Sequence, residues 1–452
     1  MEDGREVDHV VAEAEGRGVR VTRVMWCGND GIVRSKGVAT SRLRARMIAG
    51  VGLTRAQPAQ NARDEIADVP GMGPVGEMRL RPDPVTFRPL PYAPRTAAVL
   101  ADMVDLGGAP EPTCPRHFLR RMEARLAAAG LALRAGFENE YVLAREGPDG
   151  FAPIDRTPCF SAIGAAAAQE HTDALLEALE AQSIEVEGCH AEGGWGQNEV
   201  ALAPVSALRA ADEQILVREA LRGVARAGGL VASLAPKPFP DGAGSGLHVH
   251  VSLLVPDGGN AFADPADPEG LSQTARSFIA GLLDHLPAVC ALTAPSAGSY
   301  RRLVPRAWAG AWRCWGHDNR EAAVRACSPL AGLEDATTNV EYKPCDASAS
   351  PYVALGALVA AGLDGIERGL EPPAPVTVDP AGLSERARAE RGVERLPRSP
   401  GEAIDALESD PVLLSALGEP LARSYIAVRR SEWDHDRGGD AAEECRAAFL
   451  RY

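Results

Sequence analysis

Apolar positions recur at helical spacing through residues 3–16, which predicts an amphipathic helix ending at a glycine-rich turn. The segments VRVTRVMW (19–26) and IVRSKGVA (32–39) then alternate with the period of a strand. With the turn GNDG (28–31) between them they predict a hairpin. A short helix from Ser41, a Pro- and Gly-rich tract over 69–94 and a strand over 97–104 follow. The break GGAPEPTCP (107–115) sets the expected boundary between a small N-terminal α+β domain, 1–108, and a large remainder, 109–452. In that remainder PRHFLRRMEARLAAAG (115–130) predicts a helix, with Pro near its start and Gly at its end. Further helical patterns cover 165–182, 205–228, 268–287 and 350–370, with short strands between them, so the class is α/β or α+β. The Pro- and Arg-rich segment 371–400 reads as an irregular surface crossing.

Composition narrows the function more than the fold. Lys and Arg number 47 against 62 Asp and Glu, a net charge of -15, which argues against a general grip on nucleic acid or on an anionic membrane. The nine cysteines are scattered without a CxxC pair, against both a disulfide framework and a structural zinc site. No basic segment followed by an apolar run opens the chain, and the apolar stretch 354–363 is too short to span a bilayer. The expectation is a cytoplasmic protein.

Several strands carry chemistry on one face, because side chains alternate along a strand. In AGFENEYVL, Glu138 and Glu140 oppose Phe137 and Tyr141; in LHVHVSL, His248, His250 and Ser252 oppose Leu247, Val249, Val251 and Leu253. In NVEYKP, Glu341 and Lys343 share a face, and IEVEGCHAEGGWGQNEV holds Glu185, Glu187, Glu192 and Glu199. Taken singly each is a solvated sheet face. Together, so many carboxylates in one concave site would repel one another unless cations neutralised them, and oxygen-rich ligation suits Mg²⁺ or Mn²⁺. Arg301, Arg302, Arg320 and Arg325 lie in or near RRLVPRAWAGAWRCWGHDN (301–319) and provide forks for carboxylate or phosphate. There is no GxxxxGK[ST] loop, and GAGSGLH (242–248) fails the dinucleotide pattern.

The motifs AGFENEY, HAEGGWGQNEV, APKPFPDGAGSGLHVHVSL, SYRRLVP, DNREAAVR and NVEYKPCDASASPYVALGAL occur in the order and spacing of the glutamine synthetase family, bacterial type I branch. The resemblance covers the chain from about residue 20 to its end. It implies an N-terminal β-grasp domain and a catalytic domain built on a curved antiparallel sheet, a partial barrel flanked by helices. It also implies a ring-type homo-oligomer, a dodecamer, with sites shared between neighbouring subunits, ATP as the phosphoryl donor, and two to three Mg²⁺ or Mn²⁺ ions. Carried over by motif, Glu140, Glu192 and Glu199 resemble the ligands of one ion, and Glu138, His248 and Glu341 those of another. Glu187, His250 and Ser252 match nucleotide-contacting positions, Arg320 and Arg325 the phosphate-facing arginines, and Arg302 with the Gly244 loop the glutamate site.

The departures concern the amine. Ammonia-using members have a proton-abstracting glutamate in a PGYEAP segment; here the segment is PRAWAG and that position is Trp308. They also have an ammonium-binding aspartate in an FDGSS segment of the neighbouring subunit; GVGLTRAQ (50–57) offers Thr54 instead. An indole has only an N–H donor and cannot act as a base, so Trp308 suits the role of an apolar wall for an amine with a carbon skeleton. Lys343 replaces an arginine near the transferred group, keeping the charge without the fork, and Ala243 replaces the asparagine of an NGSG loop. The expected function is therefore a ligase joining L-glutamate, activated by ATP as an acyl phosphate, to an organic amine larger than ammonia. The alternatives are a glutamine synthetase using ammonium and a catalytically silent, ring-forming relative.

Overall fold

The structure, a computed structural model, describes residues 2–148 and 150–452. The hairpin forms as expected: β1 (Val21–Cys27) and β2 (Val33–Ala39) pair antiparallel, with Cys27 opposite Val33. With β3 (Val51–Thr54), β4 (Glu77–Pro82), β5 (Arg88–Pro89) and β6 (Thr96–Val104) they make a sheet ordered β2-β1-β6-β4-β3, with β5 on β6. The central pair β1–β6 is parallel, and helices Glu2–Gly16 and Thr40–Ala49 complete this β-grasp unit. Alternating residues Val24 and Trp26 of β1 and Val99 of β6 meet Leu43 and Met47 of the second helix in its core.

The second sheet uses β7 (Ala132–Gly147), β8 (Gly150–Pro153), β9 (Val186–Ala191), β10 (Gln197–Leu202), β11 (Val205–Ser206), β12 (Val231–Ser233), β13 (Leu247–Leu254), β14 (Trp312–His317), β15 (Ala322–Cys327), β16 (Asn339–Tyr342) and β17 (Glu394–Arg395). Its order is β17-β14-β15-β16-β13-β7-β10-β9, with β8, β11 and β12 also pairing with the long β7. The expectation of an antiparallel sheet needs one correction: β14 and β15 run parallel, Trp312 facing Ala322 and His317 facing Ala326. The segment between them returns the chain to the start of β14 before β15 begins. The sheet curves until it is nearly closed.

Helices Pro115–Ala128, Ala207–Ala227, Gln273–Thr293 and Pro351–Glu367 pack together beside this sheet. Gln273–Thr293 is long and apolar enough to cross a membrane, but 83% of its most apolar window is buried inside the protein. It lies so close to Pro351–Glu367 that a Cβ added at Gly281 would stand 2.2 Å from the Ala361 carbonyl oxygen. Glycine is therefore required there by contact between the two backbones. Trp312 and Trp315 are core residues, and the Trp315 indole donates to the Pro373 carbonyl at 2.6 Å. The nine cysteines are unpaired.

A buried charge cluster ties the two sheets' units together. Arg116, at the start of Pro115–Ala128, donates to Asp102 and Asp83 at 2.8 Å each, and through Nε and Nη2 to Asp212 at 2.9 and 2.7 Å. Tyr352 also donates to Asp212, at 2.7 Å. A second polar cluster joins three helices: the His285 ring lies between Asp410 (2.7 Å) and Asp364 (3.0 Å). Burial disfavours the charged ring, but the two carboxylates outweigh it and raise its pKa above the usual histidine value.

A group whose folded pKa is raised stabilises fully below its unfolded value, about 6.5, and loses that contribution as pH climbs through the folded value. The stability margin of the protein over a His285→Gln variant is therefore expected to shrink between pH 6 and pH 9, by on the order of 1 kcal/mol. Urea midpoints at the two pH values measure it, and a margin that grows with pH would contradict the assignment.

Candidate active site

Strand register assembles the site. Glu140 on β7 faces Glu199 on β10, which faces His190 on β9. One step along, Glu138 faces His248 on β13; beyond that, His250 faces Glu341 on β16, which faces Arg325 on β15. Directly paired residues project from the same face, so six neighbouring strands deliver these groups to one cavity of about 680 Å³.

Glu138, Glu140, Glu192, Glu199, His248, Gly244, Arg302, Trp308, Arg320, Arg325, Glu341 and Lys343 all line it. His250 touches the same cluster from below, with Nε2 3.0 Å from Glu138. His248 Nδ1 lies 3.3 Å from Glu138 and 3.4 Å from Glu341, so both histidines approach the same two carboxylates. Besides His250, three expected residues fall outside the cavity lining. Glu187 is the extra residue at a bulge in β9, where the pairing skips from Ala201–Gly188 to Leu202–Val186, and it is exposed. Ser252 lies further along β13, paired with Arg134. Thr54 is an exposed residue of the β-grasp unit.

The structure also adds residues. His190 Nε2 sits 3.0 Å from Glu192 and 3.5 Å from Glu199, and these three offer donor atoms within 4.8 Å of one another. The sequence does hold a signal for it, in the same motif as Glu192 and two residues before it. Phe160 is 64% exposed at the cavity wall and stands 5.2 Å from the His190 ring. Lys237 lines the cavity and holds its glycine-rich loop by donating to the Gly242 carbonyl at 2.6 Å.

Positive charge lines the same cavity and touches the acidic cluster. Arg325 pairs with Glu341 at 2.9 Å and Lys343 with Glu341 at 3.0 Å. Arg302 is buried and donates to the Cys345 carbonyl at 2.9 Å. Gly244 rests directly on it: a Cβ at residue 244 would lie 2.3 Å from Arg302 Cγ.

The electrostatics suit divalent cations. Burial, and then the charges of Glu138, Glu140 and Glu192, push the Glu199 carboxyl up to about 9. Burial also acts to raise Glu138 and Glu341, but hydrogen bonds from the histidines hold Glu138 far below the usual carboxylate range, and Lys343 with the histidines holds Glu341 down to about 2. A cluster that must keep one carboxyl protonated to limit repulsion gains from a cation, and its oxygen and imidazole donors match Mg²⁺ or Mn²⁺.

The family model for the catalytic domain of glutamine synthetase matches residues 112–445, and that for the glutamine synthetase N-terminal domain matches residues 6–111. The chain belongs to the glutamine synthetase family. This glutamine synthetase-family protein is an ATP- and metal-dependent ligase. It is 40% identical over 434 residues to the gamma-glutamylpolyamine synthetase GlnA3 of Streptomyces coelicolor, across 94% of this chain and 93% of the relative. It is 33% identical to the glutamine synthetase of Halobacterium salinarum, across 95% of each. Among solved structures, a glutamine synthase homolog superposes with a TM-score of 0.86 at 33% identity, covering 96% of this chain and 99% of that one. The GmaS/ADP complex superposes with a TM-score of 0.85 at 26% identity, covering 97% and 98%.

The loop carrying Trp308 departs from ordinary backbone geometry. Arg306 and Trp308 take φ of 61° and 53°, and Phe160 across the cavity takes 57°. Such left-handed conformations cost non-glycine residues about 1 kcal/mol or more each. Trp308 is 60% exposed despite its size, so its indole is displayed at the cavity wall and is not packed away as Trp312 and Trp315 are.

Proposed function

We propose that the protein joins the γ-carboxylate of L-glutamate to an organic amine larger than ammonia, consuming ATP and giving a γ-glutamyl amide, ADP and phosphate. The observation that carries this reading is the exposed Trp308 at the cavity wall, in the position where the resemblance puts the proton-abstracting glutamate of ammonia-using enzymes. The similarity to a gamma-glutamylpolyamine synthetase supports the same reaction class.

In this account Arg302, held by the carbonyls behind it and pressed by Gly244, binds the glutamate carboxylate. A γ-carboxylate oxygen attacks the terminal phosphorus of ATP and ADP leaves. Arg320, Arg325 and Lys343 face the negative charge that shifts during this transfer, which fixed cations stabilise best in a site closed to water. Glu140, Glu192 and Glu199, with His190 beside them, and Glu138, His248 and Glu341 would hold two to three Mg²⁺ or Mn²⁺ ions, which supply charge neutralisation on the phosphate oxygens when bound. His250, Glu187 and Ser252 are assigned to the nucleotide. The neutral amine nitrogen then forms a bond to the acyl carbon as the C–O bond to phosphate breaks, and the proton the nitrogen sheds passes to the departing phosphate. Trp308 contributes apolar contact to the amine's carbon skeleton, and that contact is worth more for a larger body. Ring assembly, with Thr54 of a neighbouring subunit reaching this wall, belongs to the same proposal, as does a boundary between domains near residue 108.

Trp308→Glu tests the reading. The variant is expected to raise the ratio of kcat/KM for ammonium over that for the best organic amine by about tenfold or more. An unchanged ratio would remove Trp308 from the amine site.

A further inference from the structure

Trp308 is held by a single carboxylate. Glu321, just before β15, is 8% exposed, and its two oxygens accept from two backbone N–H groups of the same loop: Arg306 N to Oε2 and Trp308 N to Oε1, both at 2.8 Å. These are the two non-glycine residues of the loop with left-handed backbone. Such a conformation persists only when the surroundings determine it, and a carboxylate accepting two N–H bonds supplies that determination. Glu321 is itself fixed: its N–H donates to Asn319 Oδ1 at 3.1 Å, and Asn319 donates to the carbonyls of Val376 and Val378 at 2.7 and 3.2 Å. An unbroken chain of hydrogen bonds therefore runs from the segment behind β14 to the backbone of Trp308. The carboxylate's distance in sequence from its partners, 13 and 15 residues, shows that it is not a local turn feature.

We propose that Glu321 is a positioning residue that latches the Trp308 loop, so that the indole is a preset wall of the amine site facing across the cavity to Phe160. The inference rests on the amine reading above. Preorganised contact lowers the ordering cost of binding, so the latch acts on the amine and leaves the sites for ATP and glutamate alone.

The test compares Glu321→Ala, Trp308→Ala and the double variant by phosphate release with ATP, Mg²⁺ and glutamate. Glu321→Ala is expected to raise KM for the best organic amine about tenfold, with KM for ATP and for glutamate within about twofold of the unmodified enzyme. In the Trp308→Ala background the same substitution is expected to add nothing, because its effect passes through the indole. If Glu321→Ala does not fold, Glu321→Gln, which keeps one acceptor and the side-chain volume, replaces it throughout. Proportional loss for all three substrates, or a full additive effect without the indole, would overturn the latch. An amine-selective unmodified enzyme whose Glu321 variants keep their amine KM would overturn the latch alone. An unmodified enzyme equally active with ammonium and every amine would overturn the latch together with the amine reading.

Discussion

Glu138→Ala is expected to lower ATP-dependent phosphate release by about 10³-fold while the protein stays folded. Glu138 is where the two halves of the acidic cluster meet. It faces His248 across the β7–β13 pairing, receives His250 at 3.0 Å, and adds to the charge that keeps Glu199 protonated. No second carboxylate on β7 can replace it, because Glu140 is already engaged by Gln197 and by the Gly246 N–H. Steady-state phosphate release, with far-ultraviolet circular dichroism to confirm folding, measures the effect. Activity within about tenfold of the unmodified enzyme would remove Glu138 from the metal-binding set.

Arg116→Leu is expected to cost about 3–5 kcal/mol of stability, the usual result of removing one partner from a buried ion cluster. Arg116 is 2% exposed and engages Asp83, Asp102 and Asp212 at once. Without it, Arg120 still reaches Asp83 and Asp102, but Asp212 keeps only the Tyr352 hydroxyl of the side chains now around it. Because Asp83 and Asp102 belong to the β-grasp unit and Asp212 to the helices beside the large sheet, the loss loosens the junction between them. The urea midpoint should fall, and a change under about 1 kcal/mol would mean that the cluster does not hold the junction.

Local pattern carried the elements further than it carried their arrangement. The first hairpin, the long helices and the one-faced strands were legible because periods of two and 3.6 are local properties of sequence. The order β9-β10-β7-β13-β16-β15 was not, since register between distant strands depends on the whole core. The six-motif resemblance stood in for that missing information, and it grouped Glu138, Glu140, Glu192, Glu199, His248 and Glu341, which do line one cavity. It did not single out His190, although the residue lies inside a quoted motif, because its role depends on facing Glu199 across β9–β10. Glu187 lies at a bulge of β9 and outside the cavity lining, a placement that strand alternation alone does not reveal. Glu321 and Arg116 left no local signal at all, because their partners are backbone groups or carboxylates that only the folded chain brings near.

The central claim is the choice of amine, and phosphate release by the unmodified enzyme with ATP, Mg²⁺ and L-glutamate across a panel of alkylamines, arylamines, polyamines and ammonium tests it most directly. The account predicts that at least one organic amine exceeds ammonium in kcat/KM by about tenfold or more, with a γ-glutamyl amide of the matching mass as product. Ammonium turning over as well as the best amine in the panel, with glutamine as the product, would contradict it.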